Sequence, residues 1–168
     1  MNLITTNLAS IHEKNEFCCG KELLDNYIHR QASQDVKRKL SACFVLIESG
    51  SNIIKGYYTL SNNSIPLALI PENIKKRLPK SYNSIPSTLL GRLAIDKNYQ
   101  AKGVGKILLV DALKRSYLIS KSMGSFAIIV DPIDNEAEWF YAKYGFIKLP
   151  DSGKMFLPMK TVKQLFEK

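Results

Sequence analysis

The feature that most constrains this chain is a glycine-containing turn between an apolar strand and a helix. The strand pattern covers Ser87–Asp96, the turn is Gln100-Ala-Lys-Gly-Val-Gly105, and the helix pattern covers Gly103–Ile119. Two glycines let the backbone turn sharply and gather several N–H groups, while the new helix adds unpaired donors and the positive end of its dipole. The turn therefore favours an anion such as phosphate, although a tight turn without a ligand shows the same pattern.

Two common phosphate-binding motifs do not fit this turn. Dinucleotide folds place a third glycine where this chain has Leu108, and a Walker loop has four residues between its glycines, followed by Lys and Ser or Thr. Downstream, the pattern continues with a buried strand at Ser125–Val130 and a helix at Asn135–Lys143. Tyr144-Gly145-Phe146 then ends that helix, with glycine at the position after the C-cap.

These elements, in this order, resemble the acetyl-CoA-binding half of the GNAT N-acetyltransferases. The resemblance implies acetyl-CoA as cofactor, with its pyrophosphate on the turn amides and its pantetheine arm along the strand before the turn. It also implies that Tyr141 of the last helix meets the thiol as the catalytic residue. The implied cofactor-binding residues are Leu93, Ala94, Ile95, Gln100, Ala101, Lys102, Gly103, Val104, Gly105, Lys106 and Asn135.

Other segments resemble one branch of that family, the GNAT toxins of bacterial toxin–antitoxin pairs. The most telling are Phe17-Cys-Cys-Gly20, Gly56-Tyr-Tyr-Thr-Leu-Ser61, Leu90-Gly-Arg-Leu-Ala94 and Phe156-Leu-Pro-Met159. The resemblance implies acetyl transfer to the α-amine of aminoacyl-tRNA, which blocks translation, and a cognate antitoxin protein as partner. A homodimer is left open.

The whole pattern predicts a single α/β domain spanning residues 1–168, because this length and an apolar content of 45% suit one core. The resemblance implies a GNAT fold, a mixed and mostly antiparallel sheet flanked by helices. After an irregular start, periodicity predicts a helix over Lys21–Lys39 with an apolar face of Leu23, Leu24, Tyr27, Ile28 and Gln31. Further predicted elements are strands Ala42–Glu48 and Ile53–Ser61, a short helix Glu72–Leu78, and a closing hairpin of Phe146–Pro150 with Lys154–Lys160.

The net charge of +9, from 24 Lys and Arg against 15 Asp and Glu, favours an anionic partner. Neutralising phosphates is a common use of such an excess, although any one basic cluster can be only a solvated surface. We expect Arg92 to contact substrate or a CoA phosphate. The residues predicted to bind substrate are Arg92, Lys37, Arg38, Lys75, Lys76 and Arg77.

Composition disfavours several other classes of site and location. The N-terminus lacks a basic start followed by a long apolar run, and no stretch approaches the roughly 20 apolar residues of a membrane span, so we expect a cytoplasmic protein without a membrane partner. Three cysteines do not suggest a disulfide framework. With only His12 and His29 and no Cys-x-x-Cys, no metal site is predicted.

Acetyl transfer from a thioester to an amine needs a neutral amine, stabilisation of the developing oxyanion and stabilisation of the departing thiolate. A phenol has a pKa near 10 and a thiol near 8.5, so full proton transfer from Tyr141 to the thiolate is uphill by about 2 kcal/mol. Tyr141 would therefore act either as a hydrogen-bond donor or as an acid late in the reaction. The alternative for Tyr141 is a core aromatic. Backbone N–H groups near Leu93–Ile95 are the expected oxyanion donors. No general base stands out among Glu48, Glu72, Glu136 and Glu138.

Two other functions fit the same residues. One is a GNAT acetyltransferase that acts on a small amine or a protein N-terminus. The other is a catalytically silent module that binds acyl-CoA or nucleic acid, against which Tyr141 argues. An α-amine, with a pKa of about 7.7 to 8.0, needs a base less than a lysine does, with a pKa near 10.4. The missing base therefore favours an aminoacyl ester over a protein lysine.

Overall fold

The computed structural model describes residues 1–167 and contains one seven-stranded sheet with the strand order β1-β2-β3-β4-β5-β7-β6. The β4–β5 pair is parallel, whereas β1–β2, β2–β3, β5–β7 and β6–β7 are antiparallel. The strands are β1 (Leu3–Asn7), β2 (Ala42–Glu48), β3 (Gly56–Pro66), β4 (Ser84–Ile95), β5 (Ala127–Val130), β6 (Ile147–Lys148) and β7 (Met155–Pro158). The predicted mixed, mostly antiparallel α/β sheet is confirmed.

Helices fill the intervals between the strands. The α-helices are α1 (Glu22–Asn26), α2 (Ala32–Lys37), α3 (Glu72–Lys75), α4 (Val104–Ser120), α5 (Asn135–Lys143) and α6 (Met159–Phe166). A π-helical turn, Tyr27–Gln31, joins α1 to α2, and short 3-10 turns lie at Leu67–Leu69 and Lys97–Tyr99. The predicted bounds of α5 are met at both ends, and those of α4 within one residue.

The chain forms two compact units, to both of which β3, β4 and α4 contribute. The first unit comprises Met1–Ser61 and Leu90–Ala112. Its core includes Phe17, Tyr27 and Tyr57, with the Phe17 and Tyr57 rings edge to face at 5.5 Å. The buried Tyr57 hydroxyl donates to the Leu24 carbonyl at 2.6 Å, which fixes the helical segment against the sheet.

The second unit comprises Asn62–Leu89 and the chain from Leu113 onward. Its core includes Ile65, Ile85, Ile129 and Phe156, against which the residues around α3 pack. Helix α6 is part of this unit, with Met159 and Val162 buried. A hydroxyl-to-carboxylate hydrogen bond from Tyr117 to Glu167 and a stacked Tyr117–Phe166 pair connect the end of the chain to α4.

Several predicted boundaries are wrong. The start is not irregular, because Leu3–Asn7 pairs with β2, and β3 begins at Gly56 because Ile53 forms only an isolated bridge to Glu13. Strand β4 begins three residues earlier than predicted, and the predicted helix Glu72–Leu78 is only Glu72–Lys75. The strand predicted over Lys154–Lys160 covers only Met155–Pro158, and α6 begins at Met159.

The predicted helix over Lys21–Lys39 is confirmed in position, but its buried face differs from the prediction. Leu23 is 74% exposed and Gln31 is exposed, whereas Leu24, Tyr27 and Ile28 are buried as predicted. The π-helical turn adds a residue to one helical turn and so shifts the residues that follow around the axis. Ala32, which is fully buried, takes the position that a regular helix assigns to Gln31.

Gly56 permits a close approach at the start of β3. A Cβ at this position would lie 2.9 Å from Cδ1 of Ile95 and 3.0 Å from the Ala94 carbonyl oxygen. We therefore expect Gly56→Ala to lower the free energy of unfolding by about 1 to 3 kcal/mol through overpacking. Gly124→Ala is the matched control, because a Cβ there meets nothing within 4 Å. Urea unfolding of both variants measures the difference, and equal midpoints would contradict the prediction.

Candidate active site

The turn before α4 has the backbone conformation that an anion site requires. Ala101 and Gly103 have φ values of +60° and +77°, so two residues of the turn occupy the left-handed region. Left-handed residues next to a helix start point successive N–H groups to one side. The N–H groups of Gly103, Val104, Gly105 and Lys106 are the first of the helix and have no intrahelical acceptor. A Cβ on Gly103 would meet nothing within 4 Å, which leaves this side of the turn open.

The side chain of Gln100 holds the turn in place. Its Nε2 donates to the carbonyl oxygens of Ile95 and Cys19, at 2.8 Å each. One bond ties the turn to the end of β4, and the other ties it to a segment 81 residues away in the sequence. With its Nε2 donating to these two carbonyls, Gln100 is placed to position the turn, and this is the role that we propose for it among the predicted cofactor-binding residues.

Asp96 makes the second connection to the same distant segment. Its carboxylate accepts from the N–H groups of Cys18 at 3.1 Å and Asn98 at 2.9 Å, and the Lys97 N–H donates to the Cys18 carbonyl at 2.9 Å. Burial raises the pKa of the Cys19 thiol to about 12, so this cysteine is a neutral packing group. Phe17–Gly20 thus supports the turn, a role that the sequence showed only as a resemblance.

A buried lysine lies beneath the 3-10 turn that leads into the site. Lys55 is 5% exposed, with its Nζ 3.1 Å from Oε2 of Glu48 and 4.5 Å from the ring centroid of Tyr99. Burial lowers the pKa of Lys55, but the hydrogen bonds to Glu48 and Tyr99 outweigh it and raise the pKa overall. Lys102 contacts the same turn through a 3.0 Å bond to the Asn98 carbonyl. Glu48, considered above as a base, is therefore paired with Lys55.

Strand β4 leads directly into the turn and carries four of the predicted site residues. Ala94 and Ile95 are buried, and Arg92 and Leu93 are half-buried. The Arg92 guanidinium carbon lies 3.5 Å from the centroid of the Tyr27 ring. The predicted residues Leu93–Ile95 and Gln100–Lys106 thus belong to one continuous segment of the first unit, together with Arg92.

In the second unit, a Schellman motif holds Tyr141 at the end of α5. The Phe146 N–H donates to the Tyr141 carbonyl at 3.2 Å, and the Gly145 N–H donates to the Ala142 carbonyl at 3.1 Å. Gly145 has a φ of +93°, as the predicted position after the C-cap requires. The rings of Tyr141 and Phe146 lie 5.2 Å apart, which is the apolar contact that accompanies this motif. Tyr-Gly-Phe therefore fixes the place of Tyr141 in the unit.

The surroundings of Tyr141 are apolar. The side chain is 7% exposed and contacts the Phe140 ring edge to face at 5.3 Å. Burial raises the pKa of Tyr141 above its usual value, so the phenol stays protonated at neutral pH. Within residues 1–167 its hydroxyl forms no hydrogen bond. Its oxygen is not one of the buried atoms without a partner, so the hydroxyl is accessible and free to donate to a ligand, as a donor to a thiolate must be.

Asn135 is the first residue of α5 and is exposed. The preceding Asp134 caps the helix, with its side chain accepting from the Ala137 N–H at 2.8 Å. The cap is formed by Asp134 and not by Asn135. A contact between the Asn135 side chain and the cofactor remains a prediction.

The basic clusters lie at the surface of both units. Lys37 and Arg38 are exposed at the end of α2 in the first unit, and Lys76 and Arg77 are exposed beside α3 in the second, where Lys75 is half-buried. Glu138 forms a salt bridge with Lys148, which engages a second of the four carboxylates considered as bases. Among residues 1–167, no cluster of three or more His, Cys, Asp and Glu residues is arranged to hold a metal ion. None of the helices in this range has the length and apolarity that crossing a bilayer requires.

Comparison with known proteins decides the family. Residues 40–148 match the acetyltransferase (GNAT) domain. The chain belongs to the GNAT acetyltransferases. This acetyltransferase is 31% identical over 159 residues to a tRNA-acetylating toxin of Mycobacterium tuberculosis, covering 94% of this chain and 93% of that protein. It is 29% identical over 162 residues to a probable toxin TacT of Sinorhizobium fredii, covering 92% and 89%.

Solved structures of GNAT toxins match the acetyltransferase over nearly its whole length. A tyrosine-to-phenylalanine mutant of KacT has a TM-score of 0.92 at 28% identity, covering 99% of this chain and 100% of that one. AtaT complexed with acetyl-methionyl-tRNAfMet has a TM-score of 0.90 at 28% identity, covering 98% and 99%. A tyrosine-to-phenylalanine mutant of the AtaT toxin, bound to the C-terminus of the antitoxin AtaR and acetyl-CoA, has a TM-score of 0.84 at 25% identity, with both chains covered completely.

The position of Gln100 leads to a test of the turn. Gln100→Ala removes both bonds that hold the turn and leaves the Cys19 and Ile95 carbonyls without this donor. We expect acetyl-CoA affinity to fall about tenfold, because the amides are no longer held in place before the ligand arrives. Calorimetric titration measures the change. Gln31→Ala, an exposed glutamine in the same unit, is the control, and equal affinities for the two variants would refute the positioning role.

Proposed function

We propose that this protein is an acetyl-CoA-dependent N-acetyltransferase that acetylates the α-amine of aminoacyl-tRNA and thereby acts as a toxin that blocks translation. The observation that carries the proposal is the amide-lined turn at the start of α4, in a chain that matches a tRNA-acetylating toxin over 94% of its length. The solved complexes of AtaT with an acetylated aminoacyl-tRNA and with acetyl-CoA support both substrates. A cytoplasmic location and a cognate antitoxin belong to the same proposal.

The residues of the turn fit an anionic cofactor. Its N–H groups supply uncharged donors, the helix dipole adds a partial positive charge, and Lys102 and Lys106 add full charges at the rim. We assign the pyrophosphate of acetyl-CoA to residues 101–106, the pantetheine arm to the backbone of Leu93–Ile95, and a further contact to Asn135. Bound acetyl-CoA supplies the acetyl thioester.

The protein's own groups then serve the transfer. Backbone N–H groups of Leu93–Ile95 donate to the developing oxyanion, since a donor fixed in place costs no reorganisation during the reaction. Tyr141 donates its phenol hydrogen to the departing sulfur. Because burial raises the pKa of Tyr141, full proton transfer to a thiolate is even less favourable than for a free phenol, and hydrogen-bond donation is the role that we assign.

The acceptor amine needs little help from a base. Glu48 is paired with Lys55 and Glu138 with Lys148, so these candidate carboxylates are engaged in ion pairs. An α-amine has a pKa of about 7.7 to 8.0, and a large fraction is already neutral near physiological pH. This supports an aminoacyl ester as acceptor over a lysine side chain, which is almost fully protonated there.

Tyr141→Phe tests the catalytic role. The ring keeps its contacts with Phe140 and Phe146, so acetyl-CoA affinity should stay unchanged while the single-turnover rate falls by about 10²-fold. The rate of both proteins should rise with pH through the pKa of the acceptor amine, with the same midpoint, because the phenol stays neutral in this range.

Tyr144→Phe is the matched control, since Tyr144 lies at the end of the same helix with its ring 5.2 Å from Phe140. We expect this variant to transfer acetyl at the parent rate. If Tyr141→Phe is equally fast, the Tyr141 side chain is only a packing group.

The basic surface supports the choice of tRNA and can be tested with salt. Affinity for charged tRNA should fall steeply as salt rises, because each phosphate contact releases counterions, whereas acetyl-CoA affinity should change far less. Lys76→Glu should lower kcat/KM for charged tRNA about tenfold and flatten the log–log salt slope by about one unit. Lys160→Glu makes the same charge change at an exposed lysine of α6 and should alter kcat/KM less than twofold.

The decisive experiment is transfer of labelled acetyl from acetyl-CoA in the presence of total charged tRNA, small amines and peptides. Label in N-acetyl-aminoacyl-tRNA supports the proposal. Label only in a small amine or a peptide N-terminus would overturn the tRNA assignment and retain an acetyltransferase. Binding of acetyl-CoA without any transfer would indicate a silent binding module.

A further inference from the structure

Lys55 is the only buried lysine or arginine among residues 1–167. It is 5% exposed, and its Nζ lies 3.1 Å from Oε2 of Glu48 and 4.5 Å from the centroid of the Tyr99 ring. Burying an ammonium group is costly, and an apolar residue of similar size would fill the same space without that cost. The contacts of Lys55 therefore indicate what its charge is used for.

Lys55 contacts both ends of the 3-10 turn Lys97–Tyr99. Its carbonyl accepts from the N–H of Asp96, the residue before this turn, at 2.9 Å, and its Nζ contacts the ring of Tyr99, the last residue. The Lys55 N–H donates to the Leu46 carbonyl at 2.8 Å, which fixes Lys55 to β2. One residue thus attaches the whole 3-10 turn to the sheet.

The Tyr99 ring extends this attachment toward the anion site. Tyr99 directly precedes Gln100, whose side chain holds the glycine-containing turn. The Nζ of Lys102 lies 5.8 Å from the centroid of the same ring and donates to the Asn98 carbonyl at 3.0 Å. A half-buried ring that contacts two cations has a restricted position. The position of this ring therefore affects where the residues from Gln100 to Lys102 lie.

Glu48 lets Lys55 keep its charge in the buried position. The Glu48 side chain is 44% exposed, so its carboxylate pairs with Lys55 while water still reaches it. The hydrogen bonds of Lys55 outweigh its burial and hold its pKa above the usual value, so the ammonium stays charged at physiological pH. Glu48, Lys55, Tyr99 and the glycine-containing turn all belong to the first unit.

We propose that Lys55 is a positioning residue for the cofactor, which acts through Tyr99 to hold the N–H groups of residues 101–106 ready for the pyrophosphate of acetyl-CoA. This inference rests on the proposed function, which assigns the pyrophosphate to that turn. Groups that are fixed before the ligand arrives lose less freedom on binding, and this gain appears as affinity. Glu48 then serves the site as the counterion of Lys55 and not as a base.

The test measures the affinity of the parent and of Lys55→Met for two donors by calorimetric titration. Acetyl-CoA carries the pyrophosphate, whereas S-acetylpantetheine is the same thioester without the pyrophosphate and the nucleotide. The parent should bind acetyl-CoA about 10²-fold or more tightly than S-acetylpantetheine, because the phosphates supply binding energy away from the thioester. In Lys55→Met, acetyl-CoA affinity should fall about tenfold and S-acetylpantetheine affinity less than about twofold.

Lys14→Met is the matched control. Lys14 is a half-buried lysine of the same unit whose Nζ donates to Oγ of Ser33 in α2 at 2.7 Å. The substitution removes the same charge and one hydrogen bond, and the affinity for both donors should change less than about twofold.

Tyr99→Leu tests whether Lys55 acts through the ring. It keeps the buried ion pair, so it examines the same contact even if Lys55→Met does not fold. We expect a similar loss of acetyl-CoA affinity, and the double variant should lose little more than either single variant because both changes remove one contact. Unchanged acetyl-CoA affinity in Tyr99→Leu, or losses that multiply in the double variant, would overturn the route through Tyr99.

The outcomes separate this inference from the proposed function. If Lys55→Met lowers the melting temperature but weakens the binding of both donors equally, or of neither, Lys55 only stabilises the fold, while the pyrophosphate assignment stands. If the parent binds the two donors with equal affinity, the pyrophosphate assignment is wrong and the positioning role fails with it. Neither titration needs an acceptor, so the result does not depend on whether tRNA is the substrate.

Discussion

The glycine-containing turn before α4 depends on hydrogen bonds between two segments that lie about eighty residues apart in the chain. Asp96 and Gln100 bind the backbone of Cys18 and Cys19, and Gln100 also binds the end of β4. These bonds satisfy polar groups of the turn, and among residues 1–167 the first N–H groups of α4 donate to no backbone carbonyl outside the helix, which fits an anion site there. Ala101 of the turn occupies the left-handed region, which is unfavourable for a residue other than glycine, so the conformation of the turn needs support of this kind. The anion site is therefore a property of the packed unit and not of the glycine motif alone.

Tyr141 shows the same principle with an apolar support. The Schellman motif fixes the backbone at both ends of Tyr141–Phe146, and the two aromatic neighbours hold the ring. The result is a neutral phenol in surroundings of low polarity, where a hydrogen bond to a developing thiolate is stronger than in water. The same burial makes the phenol a poor acid. The local structure thus favours stabilisation of charge over transfer of a proton.

Sequence patterns predicted those parts of the fold in which local and tertiary preferences agree. Helix α5 has a capping aspartate before it and a glycine after it, and both of its ends were predicted correctly. Strand β1 and helix α6 were missed, since a five-residue strand has too short a pattern and Pro158 fits equally well at the end of a strand and before a helix. Gln31 was misplaced because the π-helical turn that contains it does not follow the 3.6-residue period. Cys18 and Cys19 support the turn through their backbone groups, which carry no residue-type signal, although their partners Asp96 and Gln100 use side chains.

The two kinds of donor in this protein suit two different ligands. A cofactor that every turnover uses is matched by backbone amides and a helix dipole, which are fixed in place and respond weakly to salt. A large polyanion is matched by exposed lysines and arginines, whose attraction acts over a distance and weakens as ionic strength rises. The excess of nine positive charges would add little to a pocket for a small neutral amine. Arg92 differs from both groups, because it is half-buried, lies against an aromatic ring and forms no salt bridge with a carboxylate of residues 1–167. A cation that is half-buried against a ring contributes less to long-range attraction than an exposed one does, so the exposed lysines and arginines, and not Arg92, account for the expected dependence of tRNA affinity on salt.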